Sequence, residues 1–304
     1  MLLLLIVFYS CSSGDKKKKK EWSGSEAKAR ELLANEYIPE LADDLKEISG
    51  LLMYDDLFWG FNDSGGKAKI YGFDSRGTIV KEIEIANADN HDWESIAQDQ
   101  QFFYVGDFGN NNGNRKNLQI LKIPKSAIGE ANEQHVDAEI IQFNYARQTQ
   151  FGYPHLSTPF DCEALMEHNN ALYIFSKNWA EQTTSSYKIP KESGSHTVTA
   201  IDTFNVGGMI TGADLSSDKS TLALLGYVNY HAFIWLFTNF EGDDFFGGNS
   251  QLIRLPNLDD AQTEGICFAG NDTLLISCEN AKQFSQQVFV VDLKNTDHGA
   301  FQNK

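Results

Sequence analysis

Three glutamates of this chain recur in one local setting: a carboxylate, a small residue, then an aliphatic residue opening an apolar run. They are Glu94-Ser95-Ile96, Glu163-Ala164-Leu165 and Glu264-Gly265-Ile266. Two degenerate copies, Ser49-Gly50-Leu51 and Thr211-Gly212-Ala213-Asp214-Leu215, lack the glutamate. Carboxylates drawn together from distant positions repel, so they must share protons, pair with Lys177 or Arg115, or hold a cation. Oxygen-rich side chains suit a hard ion, and Ca²⁺ takes about six to eight oxygen ligands. No soft-metal ligand spacing is present, which disfavours zinc and copper. The expected cofactor is Ca²⁺, held by some of Glu94, Asp107, Glu163, Asn178, Glu264 and Glu279. The plainer alternative has the glutamates bonding neighbouring backbone amides and setting the spacing of the repeats.

The elements that would position these residues are short strands. Apolar or alternating runs at 48–52, 57–61, 69–73 and 78–85 are separated by Gly, Asp and Asn turns. The same grammar returns at 94–97, 102–107, 118–123 and 139–143, and at 164–166, 171–177, 185–189 and 198–202. A fourth unit runs from the second degenerate copy through 221–225 and 232–237 to 250–254. The last unit has three runs, 265–268, 273–277 and 287–292, and a strand from about residues 36–45 would complete it. Matching the starts Ser49, Glu94, Glu163, Gly212 and Glu264 gives intervals of 45, 69, 49 and 52 residues. Propeller blades of four antiparallel strands run about 40–50 residues, so the expected fold is an all-β, five-bladed β-propeller. A sixth blade inside the long second interval is the alternative. A β-sandwich competes less well, because it gives no reason for five similar strand openings.

In a blade, the start of the inner strand and the end of the second strand lie at one face. That step gathers Glu94, Glu163 and Glu264 at a channel mouth, with Asp214 on the same side of its strand. The second-strand ends add Asn62-Asp63, Asp107 with Asn110, Lys177-Asn178, Gly226-Tyr227 and Glu279-Asn280. His91, Glu94 and Glu163 are the catalytic candidates should the mouth be hydrolytic, with His231 a further candidate base. No Gly-x-Ser-x-Gly elbow is present, which argues against an α/β-hydrolase. Trp59, Trp93 and Trp235 read as blade core, and Trp179 as a ligand contact. The Gly/Asn-rich stretches 62–66 and 109–115 read as turns.

The stretch His91-Asp92-Trp93-Glu94-Ser95-Ile96-Ala97, followed by Tyr104-Val105-Gly106-Asp107-Phe108-Gly109-Asn110, resembles a group of secreted bacterial propeller proteins. That group is related to the phytase-like (esterase-like) and SdiA-regulated propeller families. Thr211-Gly212-Ala213-Asp214-Leu215 and Thr263-Glu264-Gly265-Ile266 fit the same pattern, and the resemblance covers roughly residues 45–293. It implies a propeller fold and an extracytoplasmic location.

The chain has 304 residues, 41% of them hydrophobic, ample for a sizeable core. Without residues 1–20 it carries 20 basic and 41 acidic side chains, a net −21. Such a surface repels phosphate backbones, so nucleic acid is not an expected partner. Residues 1–10 read as a lipoprotein signal peptide ending before Cys11, the expected lipidation site and membrane anchor. Residues 11–44 read as a Lys-rich tether with a short helix or ordered linker, the helix formers lying at 25–34. Residues 45–304 form the expected single domain, acting as a monomer. Cys162, Cys267 and Cys278 read as buried free thiols. The expected role is a cell-envelope binding or scaffold module. The alternative is a metal-dependent hydrolase of phosphate esters, lactones or carboxylic esters.

Overall fold

The computed structural model describes residues 29–294. The expected signal segment, Cys11 and the lysine run lie outside the described residues.

Five sheets, each built on an antiparallel meander, form the molecule. Blade 1 consists of Ile48–Tyr54, Leu57–Asn62, Lys69–Phe73 and Ile79–Ile85, from the centre outward. Blade 2 consists of Trp93–Gln98, Phe102–Asp107, Gln119–Pro124 and Glu139–Tyr145. Blade 3 has Asp161–His168, Ala171–Lys177, Thr184–Ile189 and Ala200–Phe204. Blade 4 has Met209–Leu215, Thr221–Val228, His231–Thr238 and Asn249–Arg254. Blade 5 has Thr263–Phe268, Thr273–Cys278 and Gln287–Asp292. Its fourth strand is Asn35–Ile38, antiparallel to Gln287–Asp292 with Asn35 opposite Val290. Each inner strand packs on the inner strand of the next blade, and the fifth packs on the first. The result is a closed five-bladed propeller, with the ring fastened by a strand from the other end of the chain.

Burial on both faces explains why the inner and second strands are nearly continuous apolar runs. Between blades 1 and 2 the core holds Trp59, Phe61, Trp93 and Phe103, with Phe61 and Trp93 meeting edge to face at 5.4 Å. The closing seam packs Ile38, Leu45 and Phe58 against Cys267 and Val288. Cys162, Cys267 and Cys278 are buried and free.

The long second interval hides no extra blade. Its excursion supplies Glu133–Val136, which adds in parallel to the outer edge of blade 1. Gly194–Val198 of blade 3 adds to the edge of blade 2 in the same way, and Arg30–Glu31 to the edge of blade 4. An outer edge with open backbone groups invites foreign strands, and here each of these edges is covered by its successor. Two expectations are corrected by this arrangement. The outer strand of blade 3 begins at Ala200, because residues 194–198 serve the neighbouring blade. The described part of the helix expected at 25–34 is extended at Arg30–Glu31, because pairing with Ile253 and Arg254 satisfies backbone groups that local propensity alone would place in a helix.

Candidate functional site

All five inner strands carry a register shift near their first residues. It falls at Ser49/Leu52, Trp93/Ser95, Cys162/Ala164, Ile210/Gly212 and Thr263/Ile266. A bulge leaves one residue outside the ladder and re-aims its side chain. In blades 2, 3 and 5 the unpaired position holds Glu94, Glu163 or Glu264, and all three line one cavity of about 270 Å³. In blades 1 and 4 the equivalent residues tie blades together. Ser49 Oγ donates to the Glu94 carbonyl at 2.8 Å, and Thr211 Oγ1 to the Thr263 carbonyl at 2.9 Å. In blade 4 the counterpart of the glutamates is therefore Thr211 rather than Gly212.

Lys177, at the end of the second strand of blade 3, lines the same cavity. Lys177 is 4% exposed and Glu163 5%, and Lys177 Nζ forms an ion pair with Glu163 Oε1. Burial works against the ammonium, but Glu163, Tyr227 and Glu264 outweigh it and hold Lys177 well above its usual value. Lys177 Nζ also lies 4.7 Å from the Trp179 ring centroid and 5.3 Å from that of Tyr227. Glu163 Oε2 is buried without a hydrogen-bond partner among the described residues.

Glu94 also lines the cavity and is 7% exposed. One oxygen each of Asp63, Asp92 and Glu94 falls within 4.8 Å of the others. None of the three carboxylates has an ion pair among the described residues. A Cβ on Gly109 would collide with Glu94 Oε1 and Asp92 Oδ2, so glycine there keeps the carboxylates face to face. Burial, then Glu163 and Asp92, drive Glu94 well above the ordinary carboxylate range. Burial, then Asp63 and Asp161, raise Asp92 to about 7. Burial and Glu47 raise Asp63, whose Oδ1 has no hydrogen-bond partner. Glu264 and Glu279 are each pushed to about 8. For Glu264 the cause is burial, opposed by Lys177 and reinforced by Glu279; for Glu279 it is burial, then Asp63 and Glu47.

The other expected ligands have different work. Asp107 is fully buried and accepts bonds from Arg115 Nη2 at 2.8 Å, Gln119 Nε2 at 2.9 Å and the Asp92 backbone at 3.2 Å, with His91 Nδ1 also at 3.2 Å. It positions Asp92 and does not line the cavity. Asn178 organises the turn that carries Trp179: its Oδ1 accepts from the Ala180 and Glu181 amides at 3.1 Å, and its Nδ2 donates to Thr183 Oγ1 at 3.0 Å. Asp214 does not reach this mouth. It accepts the Phe268 amide at 2.8 Å and lines a separate cavity with Leu51, Ile96 and Cys267. His91 is engaged by Asp107, and His231 Nδ1 faces Asp259 Oδ1 at 2.8 Å.

Trp59, Trp93 and Trp235 are buried in blade cores, whereas Trp179 forms a wall of the cavity. Asp161 holds that wall in place, accepting from Trp179 Nε1 at 2.7 Å while also accepting from the Asn110 and Cys162 amides. Sequence reasoning passed over Asp92 and Asp161. Each lies two residues before a glutamate of the repeat, Glu94 or Glu163, and that shared spacing was the available signal.

No protein-family model and no curated protein matches this chain. Among solved structures it is similar to hydrazine synthase of Kuenenia stuttgartiensis, at 14% identity over 73% of this chain and 58% of that one, with a TM-score of 0.38. It is also similar to a candidate 6-phosphogluconolactonase from Bacteroides uniformis, at 11% identity over 77% and 68% of the two chains, TM-score 0.40. A third is Hsv2 of Kluyveromyces lactis, at 10% identity over 76% and 58%, TM-score 0.34. The chain thus spans 58% of the length of the first and third of these relatives. The propeller assignment rests on the strand pairing of the chain itself.

Proposed function

We propose that this propeller is a binding module whose channel mouth holds Ca²⁺, with Asp63, Asp92 and Glu94 as protein ligands. The observation that carries this reading is the approach of three carboxylate oxygens to within 4.8 Å of one another. Ca–O distances are about 2.3–2.6 Å, so two ligands of one ion lie at most about 5 Å apart. Burial and mutual repulsion make this cluster costly without a positive charge, and the one buried lysine of the mouth is committed to Glu163. Relative to the ligand set expected from sequence, the ion is assigned to Glu94 with two aspartates, while Glu163 and Glu264 face Lys177. Three carboxylates fall short of the about six to eight oxygens Ca²⁺ takes, which leaves positions for water or for a ligand's oxygens. A binding role is favoured over hydrolysis because His91, the candidate base, does not line the cavity.

Calcium titration by calorimetry, with melting curves, tests this reading. Ca²⁺ at about 100 times its Kd stabilises the folded state by about 2.7 kcal/mol. For a domain of this size that raises the melting midpoint by about 5 °C. Asp92→Asn and Glu94→Gln should weaken binding about tenfold or more, equivalent to about 1.4 kcal/mol. Absence of both bound Ca²⁺ and a thermal shift would sink the proposal. Turnover of an aryl ester, lactone or phosphomonoester that Glu94→Gln abolishes would replace it with the hydrolase reading.

A further inference from the structure

The half of the mouth lined by Glu264, Glu279, Trp179 and Tyr230 has a different chemistry from the aspartate cluster. Its walls combine carboxylates with aromatic rings, and a hard metal ion has no use for the rings. The chain already seats two ammonium groups in such settings. Lys177 is held by Glu163 against Trp179 and Tyr227. At the rim, Lys282 Nζ lies 3.8 Å from the Tyr230 ring centroid and pairs with Asp260. Glu264 and Glu279 line the same cavity with no ion pair among the described residues. Glu279 is 7% exposed, and no hydrogen bond to its carboxylate is present among the described residues. Glu163 Oε2 is likewise buried and unpartnered beside it in the lining. Tyr230, by contrast, lines the edge of the cavity and is 52% exposed.

We infer that this half of the mouth is a subsite for a protonated amine, its ammonium seated on Glu264 and Glu279 and its apolar body against Trp179 and Tyr230. The inference rests on the reading of this mouth as a binding site, but not on the metal. An anionic ligand would face a lining in which carboxylates outnumber lysines, both lysines being paired, whereas a cation gains from both the acids and the ring faces.

Calorimetry with benzylammonium, neutral benzyl alcohol and N-acetyl-lysinamide, each with EDTA and with Ca²⁺, tests the subsite. Benzylammonium should bind saturably and benzyl alcohol at least about tenfold more weakly. Glu279→Gln and Tyr230→Ala should each lower amine affinity about tenfold, with the fold verified by melting curves. Tighter binding of N-acetyl-lysinamide than of benzylammonium would assign the amine to a peptide side chain, and the reverse to a free small molecule. The inference is overturned if benzyl alcohol binds as well as the amine, if Glu279→Gln leaves affinity unchanged, or if neither amine binds at millimolar concentration. Asp92→Asn separates the two readings: it should lose Ca²⁺ and keep the amine. Amine binding without Ca²⁺ removes only the metal, and Ca²⁺ binding without the amine removes only the subsite.

Discussion

Two clusters of similar residue types, one at each mouth of the channel, treat charge in opposite ways. Where the inner strands begin, Glu94, Glu264 and Glu279 share a sunken cavity, and its buried lysine is committed to Glu163. Where they end, Lys191 Nζ sits 2.8 Å from both Asp99 and Glu167, and Lys219 approaches Glu167 at 3.7 Å. Asp99 also accepts from Tyr104 Oη and the Gln101 and Phe102 amides, each at 2.8 Å. Partial burial pushes Asp99 up, but the bonds from Lys191, the Gln101 amide and Tyr104 prevail and bring it to about 2. At the first mouth burial prevails, so Glu264 and Glu279 rise to about 8. A carboxylate that finds its donors within the chain is part of the scaffold. One that does not is poised for a partner from outside.

The sharpest way to break this contrast is Lys177→Met. It leaves Glu163 buried without its counter-ion, and breaking such a pair costs about 3–5 kcal/mol. Urea unfolding should show that loss; a change near zero would mean that the first mouth tolerates its charges unaided.

A pH series of melting midpoints, without added cations, gives the next largest effect. Unfolded Glu264 and Glu279 titrate at the ordinary value of 4.5 but folded only at about 8. Between these values the unfolded chain has lost protons that the folded one retains, so stability falls as pH rises from about 4.5 to about 8. Asp99 works the other way. Its contribution is present above 3.8 and is lost as pH falls towards about 2. Added Ca²⁺ should flatten the upper slope and leave the acid limb alone. A profile that rises through neutrality would contradict the electrostatics assigned to the first mouth.

Lys191→Met should be the mildest change, because its side chain keeps 12% exposure and its partners keep other donors or water. A loss of about 1 kcal/mol is expected, as for a partly exposed pair. The acid limb of the pH profile should shrink with it, while the decline towards pH 8 persists. If the two lysine variants prove equally costly, the mouths do not differ as described.

Much of the fold was legible because the motif opening each inner strand repeats and turn residues punctuate the runs between. The strand completing blade 5 could be anticipated from residues near 36, since the last unit was one strand short. The edge-covering strands Glu133–Val136 and Gly194–Val198 could not be read in the same way. They look like ordinary excursions, and their pairing depends on a neighbouring blade. The site was legible in its three glutamates and in Lys177. The roles of Asp107 and Asn178 were not, because a polar residue at a strand end is the same letter whether it faces the cavity or a local donor.

By itself, then, the sequence determined the period, the strand grammar and the glutamates that open three of the inner strands. These are local properties, set by side-chain alternation and turn chemistry. The tertiary structure alone decided which acids are satisfied. Arg115 reaches Asp107, Lys177 reaches Glu163, and Asp63, Asp92 and Glu94 converge with no cation of their own among the described residues. Coulomb energy depends on separation and burial, and both arise only when the ring closes.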